Sequence, residues 1–515
     1  MLFRTSCKSC THALALSFVA SLASVASASD WYVDAVNGSN ANDGSSPSTA
    51  WQTITHAVAN VPLGGVETIN IAAGTYNQAL GESFPIRLKP GQQLIGAPGP
   101  ERPSLNATSF GGATLIQFES LPSQPLDFGP ESRVERLDLK RAGTGIGIVA
   151  YAGRVSPTIV DVRLERLSVN GISIDTTAAV SEPTLERVET RDCQLSVVFH
   201  CLFITGGSPS VVTARDCSFT QSSSTGIAVW GPADVRLERC NFDNIADAAI
   251  WNLGGAPTRV TCSDSVFAYG GWAVESSGGD IALVRCTLAN MLGPIELAAG
   301  TLEFDHCIAV APGAVVAAGP SASVTARRSL IGDGSFDGIN GCFSGDPGFR
   351  DGTDGDFRLR WGSPCIDAAF VNASAGARDV VGAPRNLDGN LDTLGNTDIG
   401  AYEFQPLELT TTGAIGSSLT LENWGPNSPS TIYWARTGLA SSQATPFGAF
   451  QLDSQFARIF RVTTAGASAP IVTLRPIPNQ IALVGHTFSF QALTDSPAAS
   501  LGRAFSNGVE FTVTP

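Results

Sequence analysis

Positive charge is scarce in this chain. Against 46 Asp and Glu stand 31 Lys and Arg, for a formal charge of -15, and the only lysines are Lys8, Lys89 and Lys140. A nucleic-acid binder needs a concentrated basic face to meet phosphates, so no nucleic-acid partner is expected. Charged residues of either sign make up 15% of the chain while 43% is hydrophobic, the reverse of the disordered pattern. Beyond the first 28 residues no apolar run approaches the roughly 18 residues of a membrane span, so no span is expected. Beyond the first 28 residues cysteine and histidine do not cluster at zinc spacing. The Gly143-x-Gly145-x-Gly147 stretch lacks the following helix that a phosphate-cradling loop needs, and reads as a turn. A length of 515 residues fits about three domains, or one long repeat array with caps.

What is present begins with a leader. Arg4 and Lys8 precede an apolar run from Ala13 to Ala20, and Ala26-Ser27-Ala28 supplies a small-residue cleavage site. We expect a signal peptide over 1–28 and a secreted or cell-surface protein. Cleavage removes Cys7 and Cys10 and leaves an odd number of cysteines, so at least one has no partner in its own chain.

Between about Arg133 and Ile331 the sequence repeats itself. A column of mostly Cys or Ser reads Leu137, Leu167, Cys193, Cys217, Cys240, Ser265, Cys286, Cys307, Ser329, at spacings of 21 to 30 residues. Two residues later comes a hydrophobic position, from Leu139 and Val169 through Phe219, Phe242 and Phe267 to Ile331. Five residues before the column, Val188, Val212, Val235, Val260, Ile281, Leu302 and Val324 are all aliphatic, with charged neighbours such as Arg236 and Glu238. Alternation at so short a period excludes a helical solenoid, which needs longer stripes of period 3.6. One such coil cannot bury its apolar face alone, so successive coils must stack in parallel ladders about 4.8 Å apart. The predicted fold class is all-β, a right-handed parallel β-helix over 131–340. The cysteine column is interior packing, since a free thiol behaves as a small hydrophobe. Disulfides between coils are disfavoured, because stacked Cβ atoms about 4.8 Å apart exceed the roughly 3.5–4.5 Å of a bridge. Cys342 and Cys365 lie outside that column and both flank the segment after the coils, and are a candidate disulfide.

Residues 29–130 read as an N-terminal cap with the first coils. A strand at Trp31–Asp34 leads through a loop to a short amphipathic helix at Gln52–Asn60, then to a strand at Thr68–Ile71 that ends at Gly74-Thr75-Tyr76. Through Tyr32-Val33-Asp34, Asp43-Gly44, Trp51 to Ala57 and Gly74-Thr75-Tyr76, this order resembles the N-terminal module of a secreted bacterial family of β-helix proteins whose function is largely unassigned. Over 341–405, Gly345-Asp346-Pro347, Gly362 to Ala368 and Asp398-Ile399-Gly400-Ala401-Tyr402-Glu403 resemble the choice-of-anchor Q region that closes such proteins. The resemblance implies a pectin-lyase-like fold and an extracellular or cell-surface life, and no particular reaction. Residues 406–515 are rich in Thr and Ser, and Phe488, Phe490, Ala492 and Val509, Phe511, Val513 alternate with polar neighbours. They read as a small C-terminal β-sandwich. Through Gly485 to Leu493 and Ser506 to Phe511 it resembles the C-terminal modules of large secreted bacterial proteins, which implies sorting or attachment.

Interior columns pack, so chemistry has to come from outward ones. Taking Val229, Ile250, Val274, Ile295 and Val316 as an inward column puts Trp230, Trp251, Glu275, Glu296 and Ala317 outward on consecutive rungs. Sugars stack on aromatic faces, and a carboxylate pair about 5 Å apart matches retaining glycoside hydrolysis. Trp230 and Trp251 are therefore candidate glycan-binding residues, and Glu275 and Glu296 candidate catalytic acids; the alternative is two partly covered aromatics beside two solvated acids. A second outward column, Asp192, Asp216, Arg239, Asp264, Arg285, His306 and Arg328, alternates in sign from Asp216 to Arg285 as a salt-bridge ladder would. His306 is a candidate base in it, or simply one more exposed member.

For calcium, Asp388-Gly389-Asn390-Leu391-Asp392 starts like an EF-hand loop but has Thr393 where the turn glycine belongs. Asp34 and Asp43 bracket a second oxygen-rich loop. The calcium candidates are thus Asp34, Asp43, Asp388 and Asp392, against which stand polar turn residues that hold their own backbone. No other cofactor is expected. The polygalacturonase-like hydrolases carry Asn-Thr-Asp, Asp-Asp and Gly-His-Gly on their coils; here only Asn396-Thr397-Asp398 occurs, in the closing region. Neither Lys89 nor Lys140 sits in a motif that would make it a lyase base. The functional expectation is an extracellular or cell-surface β-helix protein, glycan-binding or envelope-associated, without demonstrable catalysis. The alternatives are a polysaccharide lyase or glycoside hydrolase acting along the β-helix, and a purely structural spacer. The acidic balance favours a neutral or cationic glycan.

Overall fold

The computed structural model describes residues 29–107, 112–176, 181–201, 210–254, 257–369 and 376–515; the leader expected at 1–28 lies outside them. Three parallel ladders wrap around one apolar interior. The front ladder runs from Ile86–Arg87 through Thr114–Ser120, Thr144–Ala150, Asn170–Thr176, Leu195–Cys201, Thr225–Trp230 and Ala248–Asn252 to Trp272–Ser276. The back ladder starts at Ser29–Val33 and continues through Glu67–Ile71 and Gln92–Gly96 to Asp280–Val284. Two long strands, Gly293–Asp305 and Val316–Arg327, serve front and back at once. The turn ladder has 11 strands, from Thr75–Asn77 to Leu330–Ile331. The chain is a parallel β-helix.

Inside, like residues stack rung on rung. Val212, Val235, Val260, Ile281, Leu302 and Val324 are successive register partners, and Val235, Val260 and Ile281 are at most 1% exposed. Phe219, Phe242 and Phe267 stack with ring centroids 5.0 and 4.8 Å apart. Cys217, Cys240, Cys286 and Cys307 are buried free thiols, and burial pushes the last three well above the ordinary thiol range. Cys342 and Cys365 are also free and buried. The first packs with the coil interior and the second with the closing region, so the candidate disulfide is not formed.

The alignment read from sequence slips by five residues in its early rows. Glu189 is the register partner of Ser218, so Val188 occupies the position of Cys217, and Cys193 lies five residues beyond it. Leu164, not Val169, partners Leu139, and Val169 is 43% exposed. The cause is Thr190, which stands in the Phe219 position: a polar residue interrupts the apolar column there, and Leu195 imitates its continuation.

Each coil turns sharply at left-handed residues. At the corner between back and turn ladders, Asp161, Arg187, Asp216, Arg239, Asp264, Arg285, His306 and Arg328 have φ between 45° and 57°. Asp192 belongs instead to the corner after the turn ladder, with Arg166, Gln221, Asn244, Tyr269 and Asn290. Cation and anion alternate along the first corner: Arg187 lies 2.7 Å from Asp161, Arg239 2.6 Å from Asp216 and Arg285 2.8 Å from Asp264. A left-handed L-residue costs about 1–2 kcal/mol, least for Asn and Asp and most for β-branched side chains. Asn244→Val should therefore lower stability by about 1–2 kcal/mol in urea melts, while Asn244→Gly should not. Coincident melts for the two variants would contradict this corner geometry.

At the N-terminal end, the helix Ile54–Asn60 is capped by the Thr53 hydroxyl, which accepts from the His56 N–H. It lays Ile54, Ala57 and Val58 against the first rungs. Trp51, 4% exposed, stacks on Trp31 at 5.3 Å.

The closing region does more than end the solenoid: it returns along the flank of the coils. The outward positions of the turn ladder announce it. Asp138, Arg163, Glu189, Ser218 and Asn241 are polar, and the next rungs read Val266, Thr287, Ile308 and Leu330. Phe357 and Ala401 cover Val266, while Ile366 and Phe404 join Ile308 and Leu330. Arg385, fully buried, fastens the layer. It reaches Asp264 at 2.8 Å and Glu403 at 3.3 Å and donates to the carbonyls of Gly400 and Ala401. His306 is not an exposed base. It is 7% exposed, its Nδ1 lies 2.6 Å from the Asp305 carboxylate and its Nε2 lies 3.2 Å from the Ala369 carbonyl.

The C-terminal residues form a 3-stranded and a 5-stranded antiparallel sheet. Leu407, Leu419 and Leu421 of the first pack on Ile432, Phe490 and Ala492 of the second.

Candidate functional site

The front ladder is the broad outward face of the coils. Its strands place Trp230 41% exposed and Trp272 36% exposed, with Trp251 and Glu275 half-buried and Glu296 exposed. The expected outward facing holds, but the lateral alignment differs. Ile227, not Val229, pairs with Ile250, and Val274 and Ile295 follow. Trp251, Glu275, Glu296 and Ala317 thus form one column, whose earlier member is Ala228. Trp230 lies two residues further along its strand. Ile227 and Val229 both point inward, and a two-residue slip preserves facing while shifting the whole strand sideways.

Trp272 escaped the sequence reading. It pairs with Ala248 above and Gly293 below, in a third outward column. A Cβ on Gly293 would sit 2.8 Å from the Trp272 indole nitrogen, so the glycine makes room for the ring. The three indoles form an oblique row across the face, one per rung. Trp230 and Trp251 meet edge to face, their centroids 5.9 Å apart at 89°, the arrangement that ring quadrupoles favour.

Beside the row lie carboxylates. Glu275 and Glu296 are register partners on adjacent rungs, about 4.8 Å apart at the backbone. Burial raises the Glu275 carboxyl above its ordinary range, and the charges of Asp247 and Glu296 add to the effect. The Trp251 indole N–H partly offsets this from the rung above. It does not reach hydrogen-bond geometry, since Trp251 Nε1 is buried with no partner. Asp247 was missed because it precedes its strand in a turn, where no periodicity marks it.

The calcium candidates are engaged by their own loops. Asp34 accepts from the backbone of Val36 and Asn37 at 2.8 and 3.0 Å, and Asp43 from Ser45 at 3.0 Å. Asp388 accepts from Asp392 and Thr393 at 2.9 and 2.8 Å, and Asp392 from Leu394 at 2.7 Å. Burial, with the charges of Asp367 and Asp392, pushes Asp388 up to about 7. Among the described residues no group of three or more His, Cys, Asp or Glu is placed to hold a metal. Asp398 of the Asn-Thr-Asp tripeptide is buried and accepts from the backbone of Asp367 and Phe404, a structural role.

A concavity lies where the closing region overhangs the last polar rung of the turn ladder. This cleft of about 850 Å³ is lined by Asn241, Asp243, Tyr269, Asp354, Val381 and Tyr402. It joins segments far apart in sequence, so no local motif could have revealed it.

Residues 36–115 match a family described as a protein of unknown function, DUF1565. No curated protein matches the chain. Among solved structures it is similar to a pectate lyase, at 17% identity over 74% of this chain and 97% of that one, with a TM-score of 0.37. A lacto-N-biosidase from Eubacterium ramulus is similar at 12% identity over 58% and 67% of the two chains, TM-score 0.36. An Acinetobacter phage tailspike protein is similar at 11% identity over 85% and 82%, TM-score 0.32. None of these likenesses carries an argument about function, which rests on the side chains.

Proposed function

We propose that this chain is an extracellular or cell-surface β-helix protein whose front face binds an extended polysaccharide. The observation that carries the reading is the oblique row of Trp230, Trp251 and Trp272, one indole per rung. At about 4.8 Å between rungs and 3.3 Å along a strand, the backbone positions of the row step about 8 Å and then about 11 Å, the first two rings closing to 5.9 Å, so an extended chain would cross the coils obliquely rather than follow their axis. Glu275, Glu296 and Asp247 make this end of the face acidic, and Glu119 further up is met by Arg87 at 3.4 Å. Such a field repels polyanions, which favours a neutral or cationic glycan. The leader-like segment and the choice-of-anchor-like motifs agree with export.

The double variant Trp230→Ala/Trp251→Ala should lose at least about tenfold in glycan retention while still folding into the β-helix, since two stacking rings exceed about 1.4 kcal/mol together. Affinity electrophoresis against hits from a glycan array reads this directly. Unchanged retention would sink the front-face reading and point to the cleft around Tyr269 and Tyr402.

A second reading is favoured by Glu275 itself. A carboxyl held protonated to higher pH, with a second carboxylate one rung away, is the pairing that acid-catalysed glycoside cleavage needs. On that reading Glu275→Gln spares retention and abolishes release of reducing ends. A parent that retains glycan and releases nothing would leave binding alone.

A further inference from the structure

The two sheets of the C-terminal sandwich cover each other unevenly. The larger sheet turns a row of aromatics inward, and the smaller one is too short to bury them: Trp434, Phe460, Phe488 and Phe511 remain only partly buried beside the closed cluster at Ile432 and Phe490. A cavity of about 310 Å³ opens between the sheets, walled by those four rings together with Ile477 and Leu483. Trp434 stacks on Phe488 at 5.9 Å and Phe488 on Phe511 at 5.7 Å, so the wall is continuous.

At the mouth stands one cation. Arg475 is the register partner of Leu419, an inward residue, so its side chain leaves the strand on the cavity side. Its guanidinium carbon lies 5.8 Å from the centroid of the Phe460 ring. The side chain is exposed. The neighbouring Arg461 donates to the Thr473 hydroxyl at 2.9 Å, whereas no carboxylate pairs with Arg475 among the described residues.

An apolar cavity lined by rings forgoes dispersion contacts on its empty side and does not hold water well. Its size falls at the low end of small-molecule sites, about 300–1,000 Å³. A guanidinium presents a planar fork that matches a carboxylate and is weakly hydrated, hence suited to the edge of an apolar site. We propose that this cavity binds a small anionic amphiphile, an aliphatic or aromatic body bearing one carboxylate. The rings enclose the body and Arg475 takes the head.

The test titrates the purified full chain with decanoate, followed by calorimetry and thermal unfolding, with decanol as the uncharged control. The expected result is saturable uptake of one decanoate per chain and a raised melting temperature for the sandwich. Arg475→Gln, at an exposed position, should weaken decanoate by at least about tenfold and leave decanol unchanged. Leu483→Trp should fill the cavity and remove both. Absence of saturable decanoate binding overturns the proposal, as does equal affinity of the parent for decanol, or decanoate binding undiminished in Arg475→Gln. Phosphatidylglycerol vesicles form a separate arm. Retention on them that Arg475→Gln abolishes means that the site takes the phosphodiester of a bilayer lipid, which overturns the carboxylate assignment; decanoate uptake without vesicle retention supports a free carboxylate amphiphile. Neither readout depends on the front face, so this site and the glycan reading stand or fall separately.

Discussion

Val260→Asp unfolds the coils. Val260 is fully buried and stacked between Val235 and Ile281 in the back ladder, in a column that is aliphatic from Val212 to Val324. An unpaired carboxylate there costs more than about 4 kcal/mol, through lost apolar burial and desolvation of charge. In a solenoid each rung contacts only its neighbours, so one broken rung divides the stack into two shorter arrays, each with a new open end. Urea melts followed by circular dichroism should show loss of the coil transition or a large shift to lower denaturant. A variant that melts like the parent would mean that the column is not interior.

Removing the guanidinium of Arg385 should free the closing region from the coils. The side chain is fully buried between Asp264 and Glu403, and losing one partner of a buried ion pair costs about 3–5 kcal/mol because the other charge stays behind. The effect should depend on pH. Burial raises the Glu403, Asp398 and Asp379 carboxyls, and pushes Asp388 up to about 7 and Asp367 up to about 6. With folded values above the unfolded ones near 4, the folded state holds more protons between them. Stability then falls as pH rises from about 4 to about 7, and levels off above. Arg385→Ala should therefore show a smaller deficit at pH 5, where Glu403 can take a proton in place of its lost cation, than at pH 8. Amide exchange in the closing region measures this, and a deficit that grows on acidification would refute the sign.

Much of this architecture was readable because a β-helix writes its interior once per coil. From Cys217 onward the column of thiols, the aliphatic column through Val260 and the phenylalanines at 219, 242 and 267 each sit where the repeat put them. The reading failed where a single residue broke the chemistry, as Thr190 did, or where two aliphatics flanked the true register, as Ile227 and Val229 did. It also lacked any view of contacts between distant segments. The hold of Arg385 on Asp264, the burial of His306 under Ala369 and the cleft between Tyr269 and Tyr402 all depend on the closing region folding back along the flank. The one sequence sign of that return was the change from Asn241 to Val266 on the outer turn ladder, where covered rungs exchange polar for apolar residues. For the candidate site, facing was legible in Trp230, Trp251, Glu275 and Glu296, since period two survives a two-residue slip. Lateral position was not, and Trp272 was lost with it.

The buried thiols give the folded chain a chemical disguise. The eight cysteines whose side chains are described are all free and all buried, and burial carries Cys193 and Cys365 to about 12. At neutral pH such a thiol is ionised on the order of once in 10⁵, against a few per cent for an exposed cysteine, and only the thiolate attacks a disulfide. Folding therefore acts as a protecting group. Exchange with glutathione or with another chain's cysteine has to wait for a coil to open, so scrambling proceeds at the rate of local unfolding rather than that of thiol chemistry. The hazardous interval lies before the chain has closed, when these sulfurs are reactive and none is yet covered.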